Sequence, residues 1–222
     1  CRFCVVRDYH GPKVYRKSAA RVVAEMRELH QRYGVRHFYL WGDCTLLDAG
    51  HMHALAEAMC QAGNGFSWSA NFNACQAIDL ALAKELRAAG CRVLALGVET
   101  RDEALRREMG KRVVNRQLRA TVRALEEAGI MTDAFYLLGY PGQSIAEMLA
   151  TLWFAWRLGT TLTEFYPVVP FPGTELYTRY RDELRDVPWS RFQYSDYLPY
   201  CGTSRRLVLW LCRAGYLWPS PV

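Results

Sequence analysis

No apolar run in this chain approaches the ~18 residues that a membrane-crossing helix needs. Candidates such as LATLWFAW are far shorter and read as the buried face of a helix. Blocks of like charge are missing as well. The 28 basic residues are scattered among 22 acidic ones, and the formal net charge is +6. That distribution describes a solvated surface rather than a nucleic-acid-binding face. Paired metal-ligand spacings are almost absent: no second cysteine pair or Cys/His pair follows the one at the start, which argues against a zinc site. No initiator methionine precedes Cys1, and the chain is expected to begin inside a longer protein, so the lack of a visible signal peptide excludes nothing.

What is present is 222 residues of ordinary globular composition, with 51% hydrophobic and 23% charged residues. That suffices for one large domain with a filled core. The 8 cysteines do not look like a disulfide scaffold in a chain of this length. Cys60, Cys75 and Cys91 lie in or beside predicted helices and strands and read as small buried hydrophobes. Only Cys1 and Cys4, in CRFC, stand at ligand spacing. A lone C-x-x-C fits half a zinc site or a redox pair. A redox pair usually opens a helix, whereas VVRDYHGPKVY reads as an extended loop.

The chain has a rhythm. Helical stretches stop at Gly34, Gly63, Gly90, Gly129 and Gly159, each followed by a β-rich run: VRHFYLWGD, FSWSANFN, CRVLALGVE, IMTDAFYLLGYPG and TEFYPVVPFPG. In the first helix Val22, Val23, Met26 and Leu29 share a face. Capping boxes are read at Thr100/Glu103 and Ser144/Glu147. The 39-residue gap from Gly90 to Gly129 leaves room for a short extra helix, RDEALRREMG. Helix–strand units of this size make right-handed crossovers and a parallel sheet. The expected fold class is α/β: a partial (β/α)6 TIM-like barrel of parallel strands with outer helices, its sixth strand expected before Cys1, plus a short C-terminal extension. Sites in such sheets lie at the carboxyl ends of the strands. Those ends carry Asp43, Asn71, Asn73, Glu99, GYPG and PFPG.

In that order the motifs resemble the radical S-adenosylmethionine superfamily. CRFC matches the last four positions of its C-x-x-x-C-x-aromatic-C signature, with Phe3 as the aromatic; the first cysteine would sit four residues before Cys1. The resemblance implies that Cys1 and Cys4 are thiolate ligands of a 4Fe-4S cluster, leaving one iron open to S-adenosylmethionine. FYLWGD stands where the family has Gly-Gly-Glu, which implies that Gly42 and Asp43 receive the cofactor's amino group, with Trp41 and Asp43 as departures. LGVET gives Glu99 the part that holds the ribose and methionine portion, and Asn71 and Asn73 end the third strand, where relatives contact the same cofactor. FYLLGYPGQS resembles GLPGET, so that Gly139 would let the adenine approach the backbone; Gln143 replaces the usual Glu as a helix-start cap. PFPGTELY resembles PYPGTPLY, a structural turn. The pattern runs from Cys1 to Tyr177.

The combination looks most like the subgroup that often carries a cobalamin-binding domain upstream, and it includes methyltransferases and ring-forming enzymes of tetrapyrrole, lipid and natural-product pathways. Cobalamin itself would sit on that upstream domain, because no Asp-x-His-x-x-Gly segment occurs here. The implied partners are a small-molecule or natural-product substrate and an electron donor such as flavodoxin or ferredoxin, with neither nucleic acid nor membrane, in the cytoplasm. Residues 1–186 form the expected core and 187–222 an extension over the barrel, in which Trp189, Phe192, Tyr194, Tyr197 and Tyr200 read as core covering the open side, with the lining of a substrate mouth as the alternative. Two other readings stay open: a degenerate, non-catalytic barrel that binds a metal or partner, and a methylthiotransferase-like enzyme. No acid or base is assigned to Glu164 or Tyr166.

Overall fold

The computed structural model describes all residues except 12, 43–47, 64, 199 and 218–222. Five parallel strands form one sheet in sequential order: β1 (His37–Leu40), β2 (Ser67–Phe72), β3 (Cys91–Glu99), β4 (Met131–Leu138) and β5 (Leu162–Pro167). Each follows a helix: α2 (Ala19–Tyr33), α3 (Ala49–Ala62), α4 (Leu80–Ala88), α6 (Asn115–Glu127) and α7 (Ile145–Leu158). A short α5 (Glu103–Glu108) fills the long gap. The architecture is the parallel half-barrel with outer helices that the glycine rhythm predicts. Among the described residues the sheet has five strands, and the expected sixth is not one of them.

Burial alternates along the strands because side chains point to opposite faces. In β4, Thr132, Ala134, Tyr136 and Leu138 are buried against the helices, while Asp133, Phe135 and Leu137 are half-buried on the open face. The helix-facing sets of all five strands meet in one core with Met52, Leu55, Leu86, Val122, Leu125, Met148 and Phe154. Gly34, Gly63 and Gly159 close their helices in the left-handed conformation.

Several expectations are corrected. Val23 and Met26 are buried, but Leu29 is exposed, at the edge of the α2 stripe. The Ser144/Glu147 capping box forms, whereas α5 is capped by Asp102. Thr100 lies two residues earlier and bonds Thr151, and Glu103 accepts from the Asn115 backbone N–H at 2.7 Å. Cys91 is buried, Cys75 half-buried and Cys60 exposed, because Cys60 falls on the outer face of α3. The segment after Cys4 opens a one-turn helix, α1 (Val6–His10), instead of an extended loop. The chain closes with α8 (Glu175–Arg179), α9 (Arg181–Leu184) and α10 (Arg205–Leu217). Tyr197 and Tyr200 are core, while Trp189 and Tyr194 are exposed.

Candidate active site

The carboxyl end of β3 is the most constrained point of the described chain. Glu99 is its one non-glycine residue with positive φ, 68°, in the region that L-residues rarely adopt. A register shift between Gly97 and Glu99 accompanies it. Arg106 of α5, fully buried, holds this backbone from behind. Its guanidinium donates to Val98 O (3.1 Å), Thr100 O, Val113 O (2.8 Å) and Asn115 Oδ1 (2.9 Å). The Glu99 carboxylate is buried and paired with Lys111, whose Nζ also donates to Gly97 O at 2.9 Å.

The cysteine loop lies beside this end. Phe3 packs on a small apolar cluster of Met109, Tyr140, Val168 and Leu176, which joins α5 to the ends of β4 and β5. Arg2 N donates to Met109 O at 3.0 Å, and Leu176 N donates to Arg2 O at 3.4 Å. Cys1 is exposed, Cys4 half-buried, and both are free thiols. The aromatic before the second cysteine therefore helps to seat the loop.

The other candidate residues fall at neighbouring strand ends. Asn71 accepts a hydrogen bond from Tyr39 OH at 2.7 Å. Asn73 Oδ1 accepts from the Cys75 backbone N–H at 3.0 Å, as in a local turn. Gly42 follows β1, and Asp43 lies outside the described residues. Gly139 has φ 81°, but the face a side chain would occupy is filled: an added Cβ would lie 2.6 Å from the Tyr197 ring and 3.1 Å from Val208. Tyr197 OH donates to Gly139 O at 2.8 Å. Glycine is thus required there by the C-terminal segment. Gln143 does more than begin a helix. Its buried Oε1 accepts from the N–H groups of Gly139 (2.9 Å) and Tyr140 (3.3 Å) and fixes the GYPG turn.

Sequence reasoning missed Lys111, Arg106 and the polar lining of the open face. The β4 residue Asp133 has a buried Oδ1 without a hydrogen-bond partner. Burial, then the charge of Glu164, raises its carboxyl pKa to about 6. Burial and the Asp133 charge raise Tyr39. Tyr166 OH donates to Glu164 Oε2, and burial with that bond raises the phenol. Asp133 was legible as the lone charge in the alternating run IMTDAFYLL; Lys111 carried no comparable signal.

A cysteine loop seated on strand ends next to a buried carboxylate suits cofactor-dependent chemistry. Residues 1–155 match the radical SAM superfamily. The chain belongs to this superfamily. Its radical SAM half-barrel superposes on the radical S-adenosylmethionine methyltransferase TsrM of Kitasatospora setae, solved with cobalamin and a 4Fe-4S cluster bound. The TM-score is 0.73 at 22% identity, over 84% of this chain and 38% of that one. Among curated proteins it is 24% identical to an uncharacterized methyltransferase of Pyrococcus horikoshii, over 88% of this chain and 43% of the relative. It is 24% identical to the anaerobic magnesium-protoporphyrin IX monomethyl ester cyclase of Cereibacter sphaeroides, over 87% of this chain and 32% of the relative. The radical SAM chain therefore spans less than half the length of these relatives. Among the described residues no helix is long and apolar enough to cross a membrane.

Proposed function

We propose that this radical SAM chain is the core of a cobalamin-dependent methyltransferase that acts on a small molecule. The observation carrying the proposal is the seating of Cys1 and Cys4, by Phe3, at the strand ends where Glu99 is also held. Cys1 and Cys4 fit as two of the three thiolates of a 4Fe-4S cluster. Among the described residues no third His, Cys, Asp or Glu joins them, and the first cysteine position of the family's pattern precedes Cys1. When bound, the cluster and S-adenosylmethionine supply a 5′-deoxyadenosyl radical by one-electron cleavage of the sulfonium.

The protein's own residues orient and exclude. Glu99 presents a carboxylate suited to the cationic end of S-adenosylmethionine. Gly42 and Asp43 receive its amino group, Asn71 of β2 and Asn73 just beyond that strand contact it, and Gly139 offers backbone, since Tyr197 fills its other side. The open face of Tyr39, Asp133, Glu164 and Tyr166 lines the substrate space. Residues 1–186 act as the core and 187–222 as its cover. Methyl transfer is favoured because relatives bear that name, among them a cytidylyl-2-hydroxyethylphosphonate methyltransferase of Streptomyces wedmorensis. A reduced flavodoxin or ferredoxin would deliver the electron, in the reducing cytoplasm.

The test uses the full-length protein, reconstituted anaerobically. About four irons and as many sulfides per chain, with 5′-deoxyadenosine or S-adenosylhomocysteine formed on reduction, support the reading. Zinc uptake without sulfide overturns it. Methyl-labelled S-adenosylmethionine then decides between methyl transfer, with label in the product, and ring closure without label.

A further inference from the structure

The open face of the sheet carries negative charge without positive charge beside it. Strand pairing sets its rows. Asn71, Ala95, Asp133 and Leu162 stand side by side, and Gly97, Phe135 and Glu164 form the next row toward the carboxyl ends. Successive rows are two residues apart, ~7 Å along the strands. Two carboxylates thus meet on the adjacent strands β4 and β5. Among the described strand residues no lysine or arginine shares their face. Lys111 covers Gly97 in the upper row, but its charge is answered there by Glu99.

The two carboxylates differ in how they are satisfied. Glu164 Oε2 accepts from the Tyr166 phenol. Asp133 Oδ1 is buried and has no hydrogen-bond partner, a costly state for a charged oxygen. Burial, then the Glu164 charge, raises the Asp133 carboxyl to about 6, which leaves it ionised at neutral pH. The wall around the pair is aromatic. The Phe135 and Tyr166 rings meet edge-on with centroids 6.3 Å apart, and Tyr194 stands 6.5 Å from Tyr166. On the other side Ala95 adds only a methyl group to the wall between Asp133 and Asn71.

We propose that Asp133 is a specificity-determining residue, and that the substrate presents to it a protonated amine carried on an apolar or aromatic body. The proposal rests on the reading of the open face as the substrate space. An ammonium group brings three donors and no acceptor. One donor partners the orphaned Asp133 oxygen, and the positive charge offsets the repulsion between Asp133 and Glu164. A neutral hydroxyl supplies the bond but not the charge. A metal ion fits less well, since among the described residues no three His, Cys, Asp or Glu side chains come together. The rings of Phe135 and Tyr166 suit both the cation and the apolar carbons next to it. Glu99 lies over Gly97, one row above Asp133. An amine held at Asp133 therefore sets the rest of the substrate toward the end of the sheet where the cysteine loop is seated.

The experiment uses the full-length, anaerobically reconstituted protein and two probes of one shape, benzylamine and benzyl alcohol. Affinity is read by ligand-observed nuclear magnetic resonance at neutral pH, where the amine is charged. The wild type should bind benzylamine at least about tenfold more tightly than benzyl alcohol, the scale of a charged hydrogen bond over a neutral one. Asp133→Asn keeps the volume and removes the charge. It should cut the preference to about twofold or less, with the affinity for benzyl alcohol unchanged. Glu85→Gln, which removes an exposed carboxylate of α4 that pairs with His53 of α3, should keep the full preference. Equal affinity for the two probes in the wild type overturns the proposal. So does a preference that survives Asp133→Asn, or one that Glu85→Gln abolishes, because the cation would then be answering charge elsewhere. A wild type that loads the cluster and forms 5′-deoxyadenosine but shows no amine preference overturns this proposal and leaves the functional reading standing. Zinc uptake in place of the cluster overturns the functional reading, and the substrate assignment with it.

Discussion

Asp133 illustrates what a single residue reveals about the open face. Its carboxyl holds its proton more tightly in the folded chain than in the unfolded one, because burial and Glu164 both disfavour its charge. The native state therefore binds more protons here than the unfolded state between pH ~4 and about 6. This group's contribution to stability is lost as the pH rises through that window and remains lost at pH 7. Asp133→Asn should be more stable than wild type by about 1–2 kcal/mol at pH 7, after discounting for partial solvent screening. The gain should vanish near pH 4. Urea unfolding at the two pH values measures it, and an equal gain at both would refute the assignment. Neighbours decide such a residue. IMTDAFYLL says that Asp133 alternates with buried positions, but nothing in the local sequence says that Glu164, a strand away, shares its face.

The elements were the most legible level, since helix periods, terminal glycines and β-rich runs are local signals. The misreadings follow from contacts that are distant in sequence. Thr100 looks like a cap, but Thr151 of α7 claims its hydroxyl, and Asp102 caps α5 instead. Gln143 looks like a helix-start residue, but Gly139 and Tyr140 turn their N–H groups to it. The cysteine loop itself is held by side chains from elsewhere, chiefly the cluster under Phe3. Phe3→Ala should release that loop without melting the sheet, since such loops open locally at low cost. Iron content after reconstitution should fall severalfold, while the melting temperature should move by about 4 °C or less. A large drop in melting temperature would mean that the loop is part of the cooperative core.

For the molecule as a whole, the C-terminal segment is interior rather than trim. Tyr197, Leu198, Tyr200, Val208 and Leu211 belong to the same core as the strands and outer helices. Gly215 lets α10 press on Phe165 and Leu152, so the helix shields β5. Tyr197→Ala should cost about 3–5 kcal/mol in global unfolding by removing a buried ring. Tyr197→Phe, which keeps the ring and loses the hydroxyl's bonds to Gly139 O and Cys201 Sγ, should cost about 1–2 kcal/mol. A loss below 1 kcal/mol for the alanine variant would make the segment a detachable cover. The tail's aromatics signalled burial in the sequence, but not that two of five would be core and two exposed.

Arg106 has one more consequence, for proteases. Trypsin needs an arginine in an extended, accessible strand, and this one is sealed in the core with its guanidinium committed to four partners. The next residue, Arg107, is exposed on the same short helix. In limited digestion of the native protein the bond after Arg106 should survive cuts at exposed basic residues. Its cleavage would then serve as a clock for global unfolding, read by mass spectrometry from the appearance of a peptide ending at Arg106.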